Sequence, residues 1–200
     1  MEYTELDTPI PLLGSGVDRS DTVKTGIPHL TPIIKYIQDT LGVGPNRSGS
    51  GFANREATMD AGFVWERTLE TVYKDNLGDR IGEIEFDGVV GSPDGVGVDP
   101  LEPDVMALEE YKFTWVSTRN KPTDVSGYPG WYWMTQCKSY CYMLGLDRVI
   151  MRIMYVNGDY KANFGPTPLT CRVIYTESEL SKNWQMIKNH EKRMREEGLI

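Results

Sequence analysis

The sequence predicts an α/β fold of the α+β kind: a single domain in which a mixed β-sheet is flanked by helices. Three observations predict it. Apolar residues recur at helical spacing in two stretches of the first half, in one before residue 145 and in one near the C-terminus. Between them lie runs of β-branched and aromatic residues, some alternating with polar ones and some wholly apolar, as strands do. The length of 200 residues, 40% hydrophobic and 25% charged, suits one core with helices and strands sharing it.

The elements follow in chain order. Residues 1–27 carry Pro9, Pro11, Gly14, Gly16 and Gly26 with no sustained period, and read as an irregular N-terminal arm on a domain spanning residues 28–200. Thr31 and Pro32 open a helix with Ile33, Ile34 and Ile37 on its apolar side, and Gly42 ends it. The Gly, Pro, Asn and Ser density of residues 42–51 marks a loop whose spacing does not match a Walker phosphate loop. A second helix is expected from Arg55 to Leu77, with Trp65, Leu69, Val72 and Tyr73 at helical spacing and Glu66 bordering that stripe. Residues 81–90 alternate as one half-buried strand and lead into the turn Gly91-Ser92-Pro93-Asp94-Gly95. An acidic, proline-bearing connection follows, then a strand over residues 107–117. Residues 117–130 form a polar loop long enough to suggest function. A buried helix over 131–144 stops at Gly145. Core strands RVIMRIMYV and CRVIY come next, and a last helix carries Leu180, Trp184 and Ile187.

Composition narrows the function classes. A net charge of -8 and a pI near 4.9 exclude a protein that holds nucleic acid by bulk positive charge, but suit a site of clustered carboxylates offset by divalent cations. No apolar run approaches the roughly 18 to 20 residues of a membrane helix, and the opening residues show no secretion signal. Cys137, Cys141 and Cys171 form no CxxC pair and are odd in number, which points to a reducing, cytoplasmic setting without a disulfide framework.

The chemistry is carried by a short constellation. In a strand, Glu110 and Lys112 of EEYKF project to one side while Glu109 and Tyr111 point to the other. A carboxylate and an ammonium on one face can bring a metal ion, a water and a phosphate oxygen together. Taken alone, E-x-K is common on solvated strands. Asp94 lies sixteen positions earlier, a separation one hairpin folds back, and would add the second hard oxygen ligand that Mg²⁺ or Mn²⁺ prefers. Gln136 and Tyr140, four apart on a helix, share a face with Tyr132, Trp133 and Met143 nearby.

Glu66 on a helix, Pro93-Asp94, Glu110-Tyr111-Lys112 and then Gln136 with Tyr140 as QxxxY give the chain an order of motifs that resembles the PD-(D/E)xK nucleases. Within them it is similar to the RecB-like, CRISPR-adaptation and YqaJ or lambda-type exonuclease branches over about residues 55–160. The resemblance implies a restriction-endonuclease-like core and a Mg²⁺- or Mn²⁺-dependent deoxyribonuclease, an exonuclease of recombination, repair or viral genome processing in a bacterial or phage-infected cell. By that resemblance Asp94 and Glu110 hold the metal with the Tyr111 carbonyl, Glu66 supplies the helix-borne acid, and Lys112 positions or activates the attacking water. Gln136, Tyr140, Arg119 and Lys121 would contact DNA, with Lys138 as a further candidate. It also admits a homo-oligomer or a recombination partner protein. His29 and His190 do not fall in the histidine position of the RecB branch, and the three cysteines do not reproduce an iron–sulfur ligand set, so no such cluster is expected. Two other classes compete: a non-catalytic nucleic-acid or protein-interaction module retaining the fold, and a carbohydrate- or small-ligand-binding protein using the Trp131–Trp133 aromatics.

Overall fold

The computed structural model describes residues 1–6, 26–44, 55–72, 81–162 and 165–200. In chain order the elements are β1 (Glu2–Leu6), α1 (Leu30–Leu41), α2 (Arg55–Val72), β2 (Ile84–Phe86), β3 (Val89–Gly91), β4 (Gly95–Asp99), β5 (Glu102–Thr114), α3 (Gly130–Leu144), β6 (Arg148–Tyr155), β7 (Thr167–Ile174) and α4 (Glu177–Glu196). Five strands form one mixed sheet in the order β1-β7-β6-β5-β4, and β2 with β3 forms a separate ribbon. Among the described strands of this sheet only β5 and β6 run parallel, because α3 carries the chain back between them; the remaining neighbours are antiparallel. This is the expected mixed α/β domain with helices flanking the sheet.

Helices cover both faces. On one, Ile33, Ile34 and Ile37 of α1, Trp133, Met134 and Cys137 of α3, and Trp184 and Ile187 of α4 close over Leu108 of β5 and Met151 and Ile153 of β6. On the other, Trp65 and Leu69 of α2 pack on Tyr111 and Met154. All eight residues of β6 are buried, its two arginines included. Alternation puts Arg148 and Arg152 on the α2 side of the sheet. There Arg152 donates to both oxygens of Glu109 at 2.9 and 3.0 Å, while Arg148 and Arg172 converge on Asp99 at 2.9 and 2.7 Å. Removing one member of such a buried pair strands its partner, at a cost of about 3 to 5 kcal/mol.

The structure departs from the sequence expectations in three places. Residues 81–90 are not one strand but a hairpin: Asp87 and Gly88 both adopt positive φ (49° and 71°), the geometry of a type I′ turn, which Asp-Gly favours. The acidic connection before β5 contains β4, whose alternate residues Gly95, Gly97 and Asp99 are buried as it pairs with β5. Within the expected irregular arm, Glu2–Leu6 is an edge strand paired with β7. The remainder of that arm up to residue 25, and the expected end of the second helix beyond Val72, lie outside the described residues. Among the described residues no helix is long and apolar enough to cross a membrane.

The last helix begins with a capping box: Thr176 Oγ1 accepts from the Glu179 N–H at 3.2 Å, and the Glu179 carboxylate accepts from the Thr176 N–H at 3.0 Å. Burial alone would push the Glu179 carboxyl up, but hydrogen bonds from Thr176 and from the N-terminal ammonium of Met1 outweigh it and hold the group down at about 2. A folded pKa below the ordinary 4.5 gives stability that is present above pH 4.5 and lost as pH falls toward 2. Thr176→Ala is therefore expected to cost about 1 kcal/mol in urea denaturation at neutral pH, with a smaller difference from wild type near pH 2.

Candidate active site

The site lies where the β4–β5 hairpin meets α3. In that hairpin Gly95 pairs with Glu109, so the next step back along the register sets Asp94 beside Glu110. Asp94 is fixed by its Oδ2, which accepts the backbone N–H of Tyr111 at 2.7 Å. Glu110 and Lys112, two apart on β5, face α3 together, and the Lys112 ammonium donates to Glu110 Oε1 and, at 3.0 Å, to Gln136 Oε1. Gln136 Nε2 in turn donates to the Tyr140 hydroxyl at 3.1 Å. A chain of polar groups thus runs from β5 into α3.

The ring of Tyr140 can lie against β3 because residue 91 is glycine. A Cβ there would stand 2.8 Å from Tyr140 Cε1 and 3.1 Å from Met143 Sδ, too close for any side chain. Cys137, on the same helix, is fully buried; burial first, and then Glu110, push its thiol well up, so it is a neutral filler and not a nucleophile.

Electrostatics set the chemistry. Burial pushes the Asp94 carboxyl well above its ordinary range, and the nearby Glu110 and Glu66 add to that. Glu110 is raised by burial too, against the opposing pull of Lys112. For Lys112 burial would lower the pKa, but Glu110 and Asp94 outweigh it and keep the ammonium charged. Two carboxylates thus share one ammonium. Glu110 Oε2 is buried and, among the described residues, accepts no hydrogen bond. Such an oxygen wants a proton or a cation.

These features fit a hard divalent ion. Mg²⁺ commonly binds through one or two carboxylates and keeps several waters, and Asp94 with Glu110 supplies that number. Among the described residues no three His, Cys, Asp or Glu side chains come together as a metal-holding group. Glu66 rides on α2, next to Trp65 on the side of the sheet where Tyr111 packs, and its charge adds to the raising of the Asp94 carboxyl.

The remaining sequence candidates are placed as follows. Tyr111 contributes its backbone N–H to Asp94, while its side chain packs with Trp65 and Leu69. Gln136 and Tyr140 are buried, and their polar atoms are engaged with Lys112 and each other, so they hold the ammonium and do not present an open surface. Arg119 and Lys121 are exposed on the loop after β5, Arg119 at 3.7 Å from Asp159. Lys138 lies 5.6 Å from the centre of the Tyr175 ring, on α3. Sequence reasoning missed that Gly91 makes room for Tyr140, although a glycine ending an apolar run was its signal.

No family model and no curated protein matches the sequence. Among solved structures the chain is similar to the crystal structure of SSO0001, with a TM-score of 0.48, 12% identity and coverage of 86% of this chain and 79% of that one. It is also similar to LHK-Exo in complex with dAMP, with a TM-score of 0.48, 14% identity and coverage of 86% of this chain and 89% of that one. What the site can do follows from its own side chains.

Proposed function

We propose that the chain is a metal-dependent nuclease that hydrolyses DNA phosphodiester bonds, working as an exonuclease in recombination, repair or viral genome processing. The observation that carries this reading is the pairing of Asp94 and Glu110 beside the charged ammonium of Lys112, with a buried carboxylate oxygen left without a hydrogen bond. Asp94 and Glu110 would hold Mg²⁺ or Mn²⁺, with the Tyr111 carbonyl as a further oxygen ligand and Glu66 reinforcing the negative potential. A bound divalent ion supplies Lewis-acid polarisation of the phosphate and lowers the pKa of water.

The chain's own groups do the rest. Lys112 stays protonated at neutral pH, so it serves as a hydrogen-bond donor to the phosphate oxygens or to the attacking water, and stabilises charge that develops in the transition state. Gln136 fixes the direction of that ammonium, and Tyr140 fixes Gln136. Arg119 and Lys121 offer positive charge to the substrate backbone outside the site.

Incubation with end-labelled linear, circular and single-stranded DNA tests the reading. Cleavage is expected with Mg²⁺ or Mn²⁺ and none in EDTA, and shortening of linear DNA with circular DNA left intact marks an exonuclease. Absence of cleavage with either ion on every substrate would leave a non-catalytic module as the better account.

A further inference from the structure

β4 closes one end of the five-stranded sheet, and among the described residues its outer edge has no strand beside it. The hairpin it forms with β5 also stands clear of the sheet: β5 enters register with β6 only at Leu108, so residues 102–107 lean on β4. A bare edge directs main-chain N–H and C=O groups at whatever lies next to it, and proteins usually blunt such an edge with lysine or proline. β4, with the sequence GVGVD, has neither. Its ladder keeps one register from Gly95 to Val98 and shifts only at Asp99. Gly95 and Gly97 put no side chain in the way, and glycine inside a strand often marks a place where another backbone comes close.

The hairpin is also apolar where it is open. Val98 and Met106 pair across the ladder at 42% and 44% exposure, and Leu101 at the tip is 52% exposed. One exposed apolar side chain is ordinary, but three in one hairpin beside a bare edge make a surface. Charge decides what can sit there. Residues 81–110 contain no lysine or arginine. The arginines that reach the hairpin from β6 and β7, Arg148 and Arg172, are shared among three carboxylates, Asp99, Glu102 and Asp147. Asp104 stands exposed beyond them, so the edge is negative. Two copies of this edge would repel each other, and so would a phosphate backbone, whereas a cationic chain is drawn in.

We infer that the β4 edge is a docking site for an extended, basic segment of a partner protein, which joins the sheet there as a further strand. Main-chain hydrogen bonds to β4 supply part of the affinity, and side chains on alternate positions supply the choice of partner. Apolar residues of the segment cover Val98 and Met106, and its lysines or arginines meet Asp104. The inference does not depend on the nuclease reading, since none of these groups belongs to the site around Lys112.

The test uses the full chain and three fluorescein-labelled peptides: one of alternating lysine and valine, its glutamate–valine counterpart, and the lysine–valine peptide with proline at its centre. Anisotropy is expected to show binding of the first and none of the second. The proline peptide should bind about tenfold more weakly, because it keeps the charge and lacks a ladder donor. Val98→Lys, which blunts the edge, should weaken the first peptide by about tenfold without lowering the melting temperature, and Asp104→Asn should weaken it less. Hydrogen exchange should slow at the amides of β4 when that peptide is added. Equal binding of the lysine–valine and proline peptides, unchanged affinity in Val98→Lys, or protection that misses β4 overturns the inference. So does a concentration-dependent dimer in sedimentation that Val98→Lys abolishes, which would assign the edge to a second copy of the chain. Protection of the β4 amides by an oligonucleotide in EDTA and not by the peptide would assign it to nucleic acid, with the same result.

Discussion

Replacing Asp94 with asparagine is expected to raise the melting temperature of the metal-free protein while abolishing both metal binding and hydrolysis. Asparagine keeps an oxygen in the place of Asp94 Oδ2, so the 2.7 Å hydrogen bond from the Tyr111 N–H survives. What disappears is a carboxylate raised well above its ordinary range by burial, by Glu110 and by Glu66. Between the ordinary 3.8 and that raised value the folded chain holds a proton that the unfolded chain has released, so stability falls as pH rises through the window. Above it the folded state carries the full cost of an ionised Asp94, which the asparagine variant escapes. In a domain of this size each kcal/mol recovered appears as about 2 to 4 °C. Calorimetry in EDTA across the pH range should show the variant melting higher than wild type at neutral pH, with the gap closing toward pH 4. Added Mn²⁺ should then stabilise wild type and leave the variant unmoved. A variant that melts lower than wild type in EDTA at neutral pH would show that Asp94 stabilises the fold and does not strain it.

The parts of this arrangement that the sequence revealed are those that depend on short-range periodicity. Alternation on β5 sufficed to put Glu110 and Lys112 on one face, and four-residue spacing sufficed to align Gln136 with Tyr140. The helices were legible for the same reason, since Ile33, Ile34 and Ile37 or Leu180, Trp184 and Ile187 announce a buried stripe. Strand β4 was not legible, because Gly95 and Gly97 bring no side chain to the pattern and the buried Asp99 pairs with Arg148 and Arg172, which come from distant strands. The hairpin at Asp87-Gly88 had a local signal that the alternation around it obscured. The role of Gln136 could not be read either. Whether an amide on a helix faces substrate or a neighbouring ammonium depends on how closely α3 approaches β5, which no local pattern encodes.

Lys112→Ala is expected to lower the hydrolysis rate by about 10² to 10³ while leaving Mn²⁺ binding in place, because the ammonium acts on phosphate and water and is not a metal ligand. Its removal has a second, measurable consequence. Glu110 is only 2% exposed and Lys112 is its partner through Oε1, so the alanine variant leaves a buried carboxylate without its counter-charge. Breaking a pair of that kind costs about 3 to 5 kcal/mol, and a lower melting temperature in EDTA is therefore expected. A divalent ion can replace the missing charge. Mn²⁺ should consequently raise the melting temperature of Lys112→Ala by more than it raises that of wild type, and its affinity should hold or increase because a competing positive charge has gone. Lys112→Arg separates charge from geometry: the guanidinium can still pair with Glu110, but its planar fork does not reproduce the single donor aimed at Gln136 Oε1. That variant should keep most of the stability and lose most of the rate. The decisive measurements are Mn²⁺ titration calorimetry, melting with and without Mn²⁺, and a cleavage time course on the three proteins. If Lys112→Ala cleaves DNA at the wild-type rate while binding Mn²⁺ normally, the ammonium has only a structural part to play, and the catalytic role assigned to it is wrong.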